Sequence, residues 1–275
     1  MILGLASPTY AGAMPAEGGL AWLLDRCGEY GLRALEASLP TEGGEDAAEV
    51  GRRARDKGII WIGYWSDDWV TPAEGVAGLG ARAARAFDRA VAGGVETVVV
   101  FGNGAAHNRF THEPPLAEQL RIIPDNLRVV AEAAAERGLQ LGLLPHLDYR
   151  GHELVVAMQV VGHPALQMAF DTTNPFPVCE EPVDAARAVL PHAVAVALKD
   201  VQIYPHRSND VTIWGAPLGA GSVDFVAILP LLAELLPAPE ATTACVKLRL
   251  PPDGGDYAEW MEQSLRFLRQ QMEWY

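Results

Sequence analysis

Four side chains of this 275-residue chain form a set capable of proton transfer: His146, Asp171, Lys199 and Lys247. An imidazole titrates near neutral pH. A carboxylate beside it orients or charges it, and an ammonium group holds the negative charge that develops on a carbonyl oxygen. Each of the four lies at or near the end of a short apolar run. Residues 141–146 read Leu-Gly-Leu-Leu-Pro-His, 169–174 Ala-Phe-Asp-Thr-Thr-Asn, 195–200 Ala-Val-Ala-Leu-Lys-Asp, and 245–249 Cys-Val-Lys-Leu-Arg. Such runs, separated by helical patterns, describe parallel strands whose C-terminal ends carry chemistry. Residues two apart on a strand share a face, so His146, Thr173, Lys199 and Arg249 form one layer near the mouth.

The elements that must position these groups follow one rhythm. Strands are expected over residues 2–5, 32–37, 59–64, 95–101, 139–144, 166–170, 193–198 and 243–248. Helical spacing fills the intervals: 20–30, 46–57, 72–91, 116–137 with a break expected at Pro124, 151–161, 182–190, 225–236 and 256–274. Residues 200–223 read as a long loop. Most strand segments are continuously apolar, as strands covered on both sides should be. Eight strands alternating with helices call for a closed (β/α)8 barrel, an α/β fold, in one domain over residues 1–275. A doubly wound dinucleotide-binding sheet is disfavoured because no GxGxxG follows the first strand.

Composition excludes several partners. A net charge of −14 leaves no basic surplus to neutralise phosphates, so neither nucleic acid nor an anionic membrane is expected. No apolar stretch is long enough to span a bilayer and no signal peptide is apparent. Cys27, Cys179 and Cys245 lack metal-site spacing and suit reduced thiols. A cytoplasmic protein that binds a small molecule, with a homodimer as an option, is the expectation.

Further polar and aromatic residues fall where they can reach a substrate: Glu36 at the end of the second strand, Trp65 after the third, His107 after the fourth, Asn174, Arg249, and His206 and Trp214 in the long loop. Glu36 reads equally as a barrel-floor charge paired with a cation. The pair Asp171 and Lys199 also suits an ion pair closing the barrel top, and His146, which follows a proline, also suits a group that hydrogen-bonds other site residues rather than substrate. Lys247 points inward only in one strand register; a shift by one residue brings Val246 and Leu248 inside instead. Asp67, Asp68, His107 and His206 form an unspecific candidate for a displaced metal site.

Four segments resemble the xylose isomerase-like barrels, the sugar phosphate isomerase and epimerase group. These are Leu141 to His146; Val161-Gly162-His163-Pro164 with Phe170-Asp171-Thr172-Thr173-Asn174; Pro182-Val183-Asp184 with Ala197-Leu198-Lys199-Asp200; and Pro217-Leu218-Gly219-Ala220-Gly221-Ser222-Val223-Asp224. The resemblance implies a divalent metal held by Glu, Asp, His and Glu from strands five to eight. Carried onto this chain, those positions are Leu144, Asp171, Ala197 and Lys247, of which only the aspartate is a ligand type. One carboxylate does not hold a dication, so no cofactor and no metal ligand are expected. The expectation is a metal-independent isomerase, epimerase or lyase acting beside a carbonyl of a sugar-, polyol- or polyketide-like molecule. His146 would be base or acid, Asp171 its partner, and Lys199 and Lys247 the oxyanion cations, with Lys247 as a Schiff-base nucleophile a lesser option. Two alternatives remain: an enzyme using Mn, Mg or Zn on a rearranged ligand set, and a non-catalytic binding subunit whose mouth is plugged.

Overall fold

The computed structural model describes residues 1–10, 19–205, 211–249 and 255–272. Seven parallel strands, β1 (Ile2–Ala6), β2 (Ala34–Ser38), β3 (Ile60–Asp67), β4 (Thr97–Gly102), β5 (Gln140–Leu143), β6 (Leu166–Asp171) and β7 (Ala193–Leu198), come first. A hairpin of β8 (Asp200–Pro205) and β9 (Val211–Ala216) follows, and β10 (Thr243–Val246) is the eighth barrel strand. The barrel closes in the order β1-β10-β7-β6-β5-β4-β3-β2. Outside it run α1 (Gly19–Tyr30), α2 (Ala47–Asp56), α3 (Gly75–Ala92), α4 (Leu116–Ala135), α5 (Gly151–Val161), α6 (Pro182–Val189), α7 (Phe225–Leu235) and α8 (Tyr257–Met272).

Strand alternation divides the core in two. Outward-facing residues such as Leu35, Val98, Val100, Leu141, Phe170, Val196 and Val246 pack against the helices. The barrel interior is filled by Ala6, Ala34, Ile62, Val99, Leu144, Ala169, Ala195 and Cys245, mostly small side chains. Their size suits the narrow bore of an eight-stranded barrel. The same parity then carries Glu36, Tyr64, Phe101, His146, Asp171, Lys199 and Lys247 toward the mouth. A register shift between Met168 and Ala169, where β6 meets β7, lies just before Asp171; such irregularities re-aim side chains near sites.

Three expectations need correction. Residues 200–223 are not a loop throughout: β8 and β9 pair antiparallel, Ile203 opposite Ile213. The β-branched and aromatic residues Val201, Ile203, Tyr204, Val211, Ile213 and Trp214 carried that signal. α4 does not break at Pro124, because a buried stripe of Ile123, Leu127, Val130, Ala131 and Ala134 holds it against the barrel. α3 starts at Gly75, not Pro72; Pro72 sits in the preceding turn, accepting from the Gly75 amide at 3.0 Å.

Candidate active site

The mouth is built from the floor upward. Leu144 and Val99 floor a cavity of about 660 Å3 whose base carries Glu36, Lys199 and Lys247 and whose wall carries His146, Tyr64 and Phe101. Cys245 faces the interior, so Lys247, two residues on, does too, while Val246 and Leu248 join the outer core. That settles the register question in favour of an inward lysine. Lys247 Nζ lies 3.5 Å from Glu36 Oε1 and 6.0 Å from the centre of the Tyr64 ring. Glu36 is therefore a buried counter-charge. Burial works against the Lys247 charge, but Glu36 and Asp171 outweigh it and hold this ammonium above the ordinary lysine value. A lysine kept protonated in this way is a poor nucleophile, which argues against a Schiff base.

Lys199 has a different partner. Its Nζ is 2.7 Å from Asp171 Oδ2 and donates to Asn174 Oδ1 at 3.1 Å. Asp171 Oδ1 accepts the amides of Thr173 and Asn174 at 2.9 and 3.1 Å and the Thr173 hydroxyl at 3.1 Å. Burial opposes the Asp171 charge, yet Lys199, Lys247 and these donors hold the carboxyl below its usual range. Burial and the nearby Lys247 outweigh the pull of Asp171 on Lys199 and make its ammonium more acidic than usual.

Both lysines are gripped at the backbone by threonines buried from solvent. Thr172 Oγ1 donates to the Lys199 carbonyl at 2.6 Å and accepts the Lys199 amide at 2.8 Å. Thr9 Oγ1 accepts the Leu248 amide at 3.0 Å and donates to the Val246 carbonyl at 3.5 Å, bracketing Lys247. Neither threonine stood out in the sequence, although Thr172 immediately follows Asp171. Asp200, next to Lys199, accepts four backbone amides, those of Val201, Gly219, Gly221 and Val223, at 2.9 to 3.1 Å. A Cβ on Gly221 would lie 2.2 Å from Asp200 Oδ1, which explains a glycine there in the segment 217–224.

His146 does not meet Asp171 as a hydrogen-bonded partner: among the described residues, nothing hydrogen-bonds its ring. Asp171 orients Lys199 instead, because the strand end turns its carboxylate toward β7. The His146 ring lies against Phe101, centroids 4.5 Å apart at 42°. Burial, then Lys199 and Lys247, push its value from 6.5 down to about 4, with Asp171 opposing. The imidazole is thus neutral at pH 7, and these surroundings oppose its protonation. Its backbone is set by Asp148, fully buried, whose Oδ1 accepts the amides of His146 and Tyr149 at 2.8 Å each. Burial raises Asp148 to about 6.

Asn174 reaches the cavity and bridges Lys199 to the Pro145 carbonyl, to which its Nδ2 donates at 2.9 Å. Arg249 lines the same cavity from the exposed rim. Three expected contacts are placed elsewhere. Trp65 alternates with Tyr64 and so points outward, packed on Trp69 and Phe87 at 5.8 and 5.6 Å. His107 is tied to Asp68, its Nδ1 lying 3.0 Å from Oδ2, and does not line the cavity. Trp214 lies on the opposite face of β9 from the cavity, which Ile213 and Gly215 line in its place. His206 falls outside the described residues. The displaced metal set is further weakened because Asp67 is paired with Arg82 at 2.7 Å.

A family model described as "Xylose isomerase-like TIM barrel" matches residues 24–271. The chain belongs to this family. The chain is also similar to an uncharacterized protein, YihM, of Escherichia coli (strain K12), 32% identical over 119 residues, 42% of this chain and 35% of the relative. The match thus spans about a third of that relative's length. Among solved structures, an L-ribulose 3-epimerase superposes with a TM-score of 0.79 at 17% identity, covering 99% of this chain and 94% of the other. The apo form of the 3-keto-D-glucoside 4-epimerase YcjR from E. coli gives 0.74 at 17% identity, with 98% and 99% covered. At such identities these likenesses speak for the fold.

The divalent metal implied by the xylose isomerase-like resemblance does not fit the residues present at its position. Leu144 and Ala197 bring no donor, Lys247 brings a cation, and the Asp171 carboxylate is already matched by Lys199 at 2.7 Å. Among the described residues, no three His, Cys, Asp or Glu side chains are grouped to share an ion. Among them too, no helix is long and apolar enough to cross a membrane.

Proposed function

We propose that the barrel mouth is the active site of an isomerase, epimerase or lyase that moves a proton on the carbon beside a carbonyl of a sugar-, polyol- or polyketide-like small molecule. The observation that carries this reading is the meeting of a neutral imidazole and two lysine ammonium groups around one open cavity of about 660 Å3. His146 takes the proton as the C–H bond breaks. The electron pair passes to the carbonyl oxygen, and the enolate so formed is held by Lys199 and Lys247, the role an oxyanion hole plays elsewhere. Lys199, the more acidic of the two ammonium groups, returns a proton to carbon. Return to the opposite face of the same carbon epimerises. Return to the former carbonyl carbon, after the proton of the neighbouring hydroxyl has passed to the enolate oxygen, isomerises. Delivery of the Lys199 proton to a β-hydroxyl instead lets it leave as water while the carbonyl re-forms, which completes an elimination.

No divalent ion on Asp171 takes part in this scheme, because the charge it would supply is supplied by side chains. The family membership and the epimerase-like shape support the reaction class, and the cavity speaks against a plugged, purely structural mouth. The test is exchange in D2O, with a panel of ketoses and hydroxyketones, of the hydrogen beside the carbonyl. Exchange that persists after chelation and vanishes in His146→Gln supports the scheme. Exchange abolished by chelation and restored by Mn, Mg or Zn would place the chemistry on a metal and overturn it.

A further inference from the structure

The base of the cavity is charged, whereas its upper wall is mostly hydrocarbon, with Arg249 a polar residue on the rim. Leu147 and Ile213 line it at the rim and stay 41% and 36% exposed. Tyr64 and Phe101 continue the apolar wall below them, and the exposed Pro177 adds to the rim. Leu147 is also held at φ 62°, in the left-handed region, which costs a non-glycine residue about 1–2 kcal/mol. Asparagine or glycine would sit there more easily. A leucine strained in this way and left 41% exposed at a cavity mouth is costly for the fold alone.

The polar groups of the base are already committed to one another: Lys247 to Glu36, and Lys199 to Asp171 and Asn174. They can receive one reacting hydroxy-carbonyl unit. A molecule bearing hydroxyls along its whole length would leave its far end against hydrocarbon, where unpaired polar groups are costly. The volume, about 660 Å3, is that of pockets that bury drug-sized ligands. Across Phe101, His146 and Leu147 a second hollow of about 870 Å3 adjoins it.

We infer that the substrate is amphipathic: a hydroxy-carbonyl head that reacts over Lys199 and Lys247, joined to an apolar, ring-sized substituent that packs on Leu147 and Ile213. The head rests on the proton-transfer reading above; the apolar part rests on the wall alone. Two probes share one head and differ in the tail, 2-hydroxyacetophenone and dihydroxyacetone. Titration calorimetry of the full chain should show the aryl ketone binding at least tenfold more tightly, as burial of a ring's apolar surface requires. Leu147→Asn, which suits the left-handed backbone, and Ile213→Asn should each shrink that ratio severalfold. Equal affinities, no measurable binding of the aryl ketone, or a ratio untouched by both variants would overturn the inference. Deuterium exchange at the hydroxymethyl carbon reports separately on the reaction. Preference without exchange sinks the proton-transfer reading alone, and exchange without preference sinks the amphipathic substrate alone.

Discussion

The titration of His146 is the sharpest test of the electrostatics. Its value falls from 6.5 to about 4, first through burial and then through Lys199 and Lys247, against the pull of Asp171. At about 1.4 kcal/mol per pH unit, the folded site prefers the neutral ring by roughly 3 kcal/mol. Because the folded value lies below the unfolded one, this preference supports the fold fully above about pH 6.5 and is lost as pH falls toward about 4. Wild type should therefore lose about 3 kcal/mol relative to His146→Gln between pH 7 and pH 4, read from urea melts at each pH. A direct measurement is the NMR titration of the ring protons. Lys247→Met should move the midpoint upward, since a cation that opposes protonation has gone, and Asp171 and Lys199 still form their pair. A wild-type midpoint near 6.5, or one that ignores the loss of Lys247, would refute the argument that two ammonium groups face this imidazole.

Other consequences are equally concrete. Thr172→Val removes two hydrogen bonds, at 2.6 and 2.8 Å, and strands the Lys199 amide. The expected loss is about 2–4 kcal/mol, seen as a lower thermal midpoint, whereas Thr172→Ser should keep most of the stability and the exchange activity. Asp148 titrates with the opposite sign to His146: its folded value of about 6 lies above that of an unfolded aspartate, so it lowers stability as pH rises from about 4 to about 6. Asp148→Asn should remove that slope, about 3 kcal/mol at most, in the same urea melts. A buried ion pair broken on one side leaves an orphan charge, so Lys199→Met should cost about 3–5 kcal/mol, and the double variant Lys199→Met with Asp171→Leu should recover part of it. Equal stabilities of the single and double variants would count against a mutually neutralising pair.

The barrel was legible because its signal is periodic and repeated. Eight apolar segments at regular intervals, with helices between them, leave few other folds, and alternation on each strand then brings Asp171 and Lys199 to the mouth, whereas the direction of Lys247 depends on the register of β10, which only the fold supplies. What alternation cannot reach are the tops of strands and the loops. Trp65 follows Tyr64 by one residue, and that one residue turns it from the mouth to the helices. His107 carries no strand pattern, and only the fold brings Asp68 to it. The hairpin β8–β9 was hidden by its neighbourhood: the glycines and prolines of 215–221 suggested a loop, while the short β-branched runs before them were too brief to outweigh it. Thr172 and Thr9 were missed because a threonine bonding to a distant backbone has no local signature. Asp148 was missed because its complete burial, with no salt bridge among the described residues, shows only in the fold.

In the proposed scheme, ammonium groups standing where a dication would act also change when the charge acts. Before substrate charge develops, Lys199 and Lys247 face Asp171 and Glu36, and the same lysines keep His146 from being protonated. As a C–H bond breaks, negative charge appears on the carbonyl oxygen and offsets the field that held the imidazole neutral. The base therefore grows stronger along the reaction, while the oxygen is stabilised by the same two groups. Interactions that strengthen only as the transition state is approached raise the rate rather than merely tighten binding. A base with a resting value of about 4 would be weak in isolation; beside two lysines that an enolate can neutralise, its weakness is a property of the resting site and not of the reacting one.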